Sequence, residues 1–167
     1  MLFEKYLIPD YMFERYDEIT PAFLASIGVR ALLIDIDNTL APYEQPDPDE
    51  RNFAWVAAMR EAGVGLTFVS NNHRARVERF AAPLGIPAYW DAGKPMRKTL
   101  DIAMAALGSG VEDTAMLGDQ LLTDAYAGKH IGLRTLIVPP IRDKRSLFVR
   151  AKRWIERPYI RKYRRMH

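Results

Sequence analysis

The chain has 167 residues, 49% hydrophobic and 27% charged, with a net charge of +3 and no cysteine. That length suits a single globular domain with a closed core. No apolar run reaches the roughly 20 residues of a membrane span, no basic-then-apolar leader opens the chain, and disulfides, thiolate catalysis and cysteine-bound zinc are excluded. The charge is unevenly divided. Residues 142–167 hold 11 Lys and Arg against Asp143 and Glu156, a balance of +9, whereas residues 1–141 carry −6. An acidic body with a basic end suits a polyanionic partner, nucleic acid or an anionic membrane, or else a solvated terminal helix.

In chain order, residues 1–28 come first, rich in aromatics: Phe3, Tyr6, Tyr11, Phe13, Tyr16 and Phe23. They read as a helical segment packed on the core, with shallow lipid insertion as the alternative. The core spans 29–141. Arg30–Asp35 is too short for a helix and ends in carboxylates, so it reads as a buried strand. Residues 47–62 open with Asp47-Pro48-Asp49-Glu50 and carry Phe53, Val56, Ala57 and Met59 before Gly63. That pattern predicts a helix with an Asp cap and Pro at its first position. A strand at 65–70, a helix over 73–82 and a short strand at 88–90 follow. A helix over 95–107, a strand at 114–119, a helix over 122–130 and a strand at 134–139 complete the core. Strands alternating with single helices predict an α/β fold, a Rossmann-like three-layer sandwich around a mostly parallel sheet. Ligands in such sheets bind at the carboxyl ends of the strands.

The strand ends carry the chemistry. Asp35 and Asp37, two apart, can face one cleft, and paired carboxylates repel unless a cation or proton lies between them. Mg²⁺, a hard ion that keeps exchangeable waters, meets that need. Ser70 precedes a helix, where a hydroxyl beside free N–H groups can seat a phosphate or merely cap. Lys94, in Gly93-Lys94-Pro95, can neutralise a phosphate oxygen or an Asp. Asp119 would complete the metal's carboxylates, and Asp124 could hold a metal-bound water. Taken singly, each has an ordinary reading as a cap, a turn or a surface charge.

Together, Asp-x-Asp-x-Thr, Ser, Lys and Gly-Asp-x-x-x-x-Asp, in order over about residues 30–140, resemble the haloacid dehalogenase (HAD) superfamily. The resemblance implies that Asp35 is a nucleophile forming an aspartyl-phosphate and that Asp37 is the general acid and base. It implies Mg²⁺ between the Asp35 carboxylate, the Asp37 carbonyl and Asp119, supported by Asp124. Ser70 and Lys94 would hold the phosphoryl oxygens, with Asn71 and Thr39 shaping the phosphate seat. Only 30 residues separate Thr39 from Ser70, and 23 separate Ser70 from Lys94, too few for a sizeable cap domain. An uncapped site suits a large or embedded substrate, or cover from another subunit.

Leu7-Ile-Pro-Asp10, Asp35-Ile-Asp-Asn-Thr-Leu40, Ser70-Asn-Asn72, Gly93-Lys-Pro95 and Gly118-Asp-Gln-Leu-Leu-Thr-Asp124 resemble the YqeG family of HAD-IIIA phosphatases. By analogy with related eukaryotic enzymes, the resemblance implies phosphatidylglycerophosphate as substrate, with a soluble nucleotide, sugar or protein phosphate as the alternative. In 142–167, Leu147, Phe148, Ala151, Trp154 and Ile155 form a helical stripe flanked by Arg150, Lys152 and Arg153. This is the layout of an interfacial amphipathic helix on anionic lipid, or of a helix packed on the body. The expected location is cytoplasmic, peripheral to the inner membrane surface, with a homo-oligomer allowed. A nucleic-acid or ribosome-associated module gripping through the basic tail is the non-enzymatic alternative. A receiver domain fits poorly, because its phosphorylated Asp follows the third strand.

Overall fold

The computed structural model describes residues 4–142 and 147–166. Six parallel strands form one sheet in the order β1-β6-β5-β2-β3-β4. They are β1 (Tyr11–Met12), β2 (Ala31–Ile34), β3 (Gly65–Val69), β4 (Ala88–Tyr89), β5 (Thr114–Gly118) and β6 (Arg134–Ile137). From β2 the chain steps outward through β3 and β4, then crosses back to β5 and β6. The order therefore reverses between β2 and β5, and the crevice of such a sheet opens at their carboxyl ends.

Both faces of the sheet are covered, as its continuous apolar strands require. Leu32 and Ile34 of β2 point into one core with Val56 and Met59 of α3 (Glu50–Glu61) and Val77 and Phe80 of α4 (Arg74–Leu84). Leu33, between them, points the other way, toward Leu100, Ala103 and Met104 of α5 (Lys98–Leu107) and Ala127 of α6 (Tyr126–Ile131). The fold is a three-layer α/β/α sandwich, and the described residues contain no large cap.

Several elements differ in detail from the pattern reading. Asp49, not Asp47, caps α3: its carboxylate accepts from the Asn52 amide at 2.9 Å while Asn52 answers at the Asp49 amide. Pro48 therefore precedes the cap. The inward face of α3 uses Asn52, Trp55, Val56 and Met59, and Phe53 is exposed. A buried Asn needs partners, and the Asn52 amide donates to the Tyr16 hydroxyl and to the Leu40 carbonyl. The helix expected from residue 95 begins at Lys98, because Gly93–Met96 is first spent on a turn. The helix expected over 122–130 opens as a π-helical turn, Leu121–Ala125, before α6.

The edge strand β1 was not visible as a pattern. It is stapled to β6 by Asp10, whose carboxylate accepts from the amide and hydroxyl of Thr135 and pairs with Lys129. α1 (Glu4–Leu7) and α2 (Pro21–Ser26) complete the amino-terminal segment. Its aromatics are spent on packing: Tyr11 and Phe13 meet Phe23 edge-on, Tyr16 meets Trp55 and Tyr6 meets Tyr126. Phe3 lies outside the described residues.

The carboxyl-terminal helix α7 (Leu147–Met166) lies along α1 and the π turn. Its packed face is Glu156, Tyr159, Ile160 and Tyr163. Glu156 is buried and accepts from the Leu122 amide; the Tyr163 hydroxyl accepts from the Met12 amide. Of the predicted apolar stripe, Ala151, Trp154 and Ile155 are exposed, and the side chains of Leu147, Phe148, Arg150 and Arg153 lie outside the described residues. No helix among the described residues is long and apolar enough to cross a membrane.

Candidate active site

Asp35 leaves β2 and Asp119 leaves β5, the two strands that flank the point of reversal. The Asp35 amide donates to the Leu117 carbonyl at 2.8 Å, which carries the sheet's pairing one residue past the strand and fixes the side chain's exit. Asp124 reaches the same place from the π turn, a distortion that is frequent at functional sites because it re-aims one side chain. Asp124 lies so close beneath Gly118 that a Cβ there would stand 2.3 Å from its carboxyl carbon. Glycine at 118 is therefore the condition for Asp124 to enter the site.

Carboxylate oxygens of Asp35, Asp119 and Asp124 lie within 4.8 Å of one another, and all three residues are buried. The Lys94 ammonium enters this group, donating at 2.7 Å both to Asp35 Oδ1 and to Asp124 Oδ1. Asp35 Oδ2 receives a longer bond of 3.4 Å from the Thr39 hydroxyl. Burial pushes the Asp35 carboxyl up to about 7, against the pull of Lys94. Burial also opposes the Lys94 charge, but Asp124 and Asp35 outweigh it and hold the ammonium above its ordinary value. Among the described residues, Lys94 thus bridges two of the three buried carboxylates. An all-oxygen, acid-rich donor set of this kind fits a hard divalent cation.

The remaining residues build the rim. Lys94 sits in the turn before α5, and its backbone is clasped by Asn71, which accepts from the Lys94 amide at 2.7 Å and donates to its carbonyl at 2.9 Å. Asn71 thus positions the lysine, and its own side-chain amide is committed to that clasp. Ser70 is buried, and its hydroxyl accepts from the Asn72 amide at 3.1 Å, the cap-like bond expected there. Asn38 holds a left-handed backbone (φ 64°), which Asn tolerates, and its carbonyl and side chain accept from the amides of Ile141 and Arg142.

Asp37 is held apart from the buried trio. Asn72 donates to its Oδ2 at 2.8 Å, and Arg76 Nε donates to Oδ1 at 3.1 Å. Arg76 also donates to the Pro46 carbonyl and lies over the Phe80 ring, so the guanidinium is fixed on three sides. Sequence reasoning gave neither Asn72 nor Arg76 a role. A signal was there: α4 opens with Arg74 and Arg76 and no acid in its first turn, against the helix dipole. Such arginines need anionic partners; Arg74 finds Glu78, and Arg76 finds Asp37.

Two cavities adjoin the site. One of about 420 Å³ is bounded by Thr39, Leu40, Asp49 and the 138–141 segment. The other, about 250 Å³, reaches Asp119 and is walled by Phe13, Leu121, Ile137, Ile160 and Tyr163, with Arg164 at its side.

Comparison with known proteins agrees with this geometry. A family model described as HAD-hydrolase-like matches residues 91–140. The chain is 36% identical over 156 residues to the "Probable phosphatase YqeG" of Bacillus subtilis, covering 93% of this chain and 91% of that one. The chain belongs to the YqeG family of the HAD superfamily. It is a phosphomonoester hydrolase of the HAD type. Among solved structures, the fold is similar to a 3-deoxy-D-manno-octulosonate 8-phosphate phosphatase from Vibrio cholerae, described as putative (TM-score 0.57, 18% identity, covering 78% of this chain and 75% of that one). It is also similar to the cobalt-bound octulosonate 8-phosphate phosphatase YrbI of Haemophilus influenzae (TM-score 0.55, 15% identity, 81% and 90% covered).

Proposed function

We propose that this YqeG-family phosphatase hydrolyses a phosphomonoester through a phosphorylated Asp35, with Mg²⁺, and that its substrate is phosphatidylglycerophosphate. The observation that carries the chemistry is the Asp35 carboxylate, buried at the strand-order reversal between Lys94 and the Asp119–Asp124 pair. In this reading an Asp35 oxygen attacks phosphorus, the bond to the leaving oxygen breaks, and the proton that oxygen needs comes from Asp37. Asp37 then takes a proton from water as that water attacks the aspartyl-phosphate, which releases phosphate and restores Asp35. To meet the leaving oxygen, Asp37 must exchange part of its grip on Asn72 or Arg76 for substrate. Lys94 neutralises a transferring oxygen, and Ser70 lines the seat. Mg²⁺, held by Asp35, Asp119 and Asp124 with the Asp37 carbonyl, would screen the phosphate from the nucleophile and stabilise charge on its oxygens.

Two features support a lipid phosphate. The described segments over the strand ends form no large cap, so a headgroup embedded in a larger body can reach Asp35. The cavity that reaches Asp119 has mostly apolar walls. Membership in the family supports the phosphatase chemistry alone. A cytoplasmic enzyme working at the inner leaflet is the setting that follows from this substrate.

The test is turnover of phosphatidylglycerophosphate beside soluble nucleotide, sugar and protein phosphates, with and without Mg²⁺. The lipid is expected to exceed the best soluble substrate in kcat/KM by more than about tenfold, or about 1.4 kcal/mol in the barrier. A smaller preference would overturn the lipid assignment, and equal turnover in chelator would overturn the Mg²⁺ assignment.

A further inference from the structure

The helix α7 has two unlike faces. Nine residues are two and a half turns at 3.6 residues per turn, so Trp154 points directly away from Tyr163, which is bonded to Met12. Around Trp154 on the outer side stand Ala151, Pro158, Arg161 and Arg165, with Arg157 on one flank and Ile155 on the other; all are exposed. Trp154 is 73% exposed, Ile155 46% and, at the end of the helix, Met166 61%. An indole so open on a structured helix is unusual, since tryptophan is generally among the most buried side chains. The inner side of the same helix is fixed by Glu156 and Tyr163, so the outer side cannot turn inward without breaking those bonds.

We propose that this outer face is a docking surface for an anionic lipid bilayer. The indole, Ile155 and Pro158 enter the headgroup boundary, while Arg157, Arg161 and Arg165 extend to lipid phosphates. Charge complementarity commits the face to an anionic partner: residues 142–167 carry +9, and Glu156 on α7 is buried inward. The apolar residues then choose among polyanions. Arginine and an aromatic ring serve a nucleic acid as well as a membrane, but Ile155 and Pro158 offer an RNA backbone nothing, whereas a bilayer boundary takes them up. The opposite side of α7, through Ile160, Tyr163 and Arg164, walls the cavity that reaches Asp119, so a docked α7 lies between the bilayer and that cavity. The proposal deepens the lipid-phosphatase reading and rests on it for what is delivered to the site, but docking itself is measured without turnover.

The experiment is co-sedimentation of the full chain with vesicles of phosphatidylcholine alone and with about 30% phosphatidylglycerol, at low and at high salt. Binding is expected only to the anionic vesicles and is expected to fall steeply with salt, since each cation near the surface adds its own attraction. W154A/I155A is expected to weaken binding by about tenfold or more, and R157A/R161A/R165A by about 100-fold. Both variants should keep wild-type hydrolysis of a soluble phosphomonoester such as p-nitrophenyl phosphate, which shows that they are folded. Equal binding to neutral vesicles, or anionic binding that both variants retain, would overturn the proposal. So would tighter binding to single-stranded RNA than to anionic vesicles. A wild-type dimer that W154A/I155A converts to monomers would assign the face to a second copy and overturn it too. Failure to hydrolyse any phosphomonoester, with vesicle binding intact, would overturn the phosphatase reading and leave the docking face standing.

Discussion

The carboxyl ends of β2 and β5 and the outer face of α7 both concentrate charge, but they treat it in opposite ways. Around Asp35 the charges are buried, in contact and immobilised: Lys94 is bonded to two carboxylates, and its backbone is clasped by Asn71. On α7 the arginines stand in water around an exposed indole, with the one acid of the described helix turned inward. Charge out of water costs so much that every buried charged group must be paired and hydrogen-bonded. Exposed charge is cheap, screened by salt and broad in what it attracts. In the proposed readings the first region selects a small cation and a phosphate, and the second a kind of surface.

That contrast can be broken or sharpened by substitution. D35N should lower turnover by at least about 1,000-fold, roughly 4 kcal/mol in the barrier, while circular dichroism stays unchanged. Near-normal turnover in D35N would remove the nucleophile. K94M leaves buried carboxylates without their ammonium and should cost about 3–5 kcal/mol in urea unfolding. A loss under about 1 kcal/mol would mean that the cluster is not held by its charges. G118A drives a methyl into Asp124 and should cost about 1–3 kcal/mol, with turnover falling further than the shift in midpoint alone explains. R161A, at the other extreme, should change stability by no more than about 0.5 kcal/mol, the usual range for a surface position. A larger loss there would place that arginine in the packing of the body.

Much of this was legible in the sequence, for a definite reason. Buried parallel strands are short apolar runs, and Asp35, Ser70 and Asp119 stood where those runs stopped, so periodicity alone located the crevice. What stayed hidden was set by side chains that meet across long separations. β1 is two residues long and owes its place to Asp10 and Thr135, which no local pattern joins. Asn52 looked polar and is buried because Tyr16 and Leu40 partner it. Arg76 meets Asp37 across 39 residues, a pairing no local pattern joins. The stripe on α7 was real as a pattern, but the body claimed Tyr159, Ile160 and Tyr163 instead and left Trp154 and Ile155 outside.

The bond from the Met12 amide to the Tyr163 hydroxyl, and the pairing of Glu4 with Lys162, tie together residues far apart in the sequence. A chain leaving the ribosome therefore carries β1 without a strand partner until residues 134–137 have been made. Such distant pairing is slow to form, and an unpaired edge strand is exposed to wrong partners while it waits. The central strands can assemble during synthesis, but the wall beside Asp119 closes only when α7 arrives. The completion of that wall and the appearance of the basic face are then one event, because a single helix supplies both.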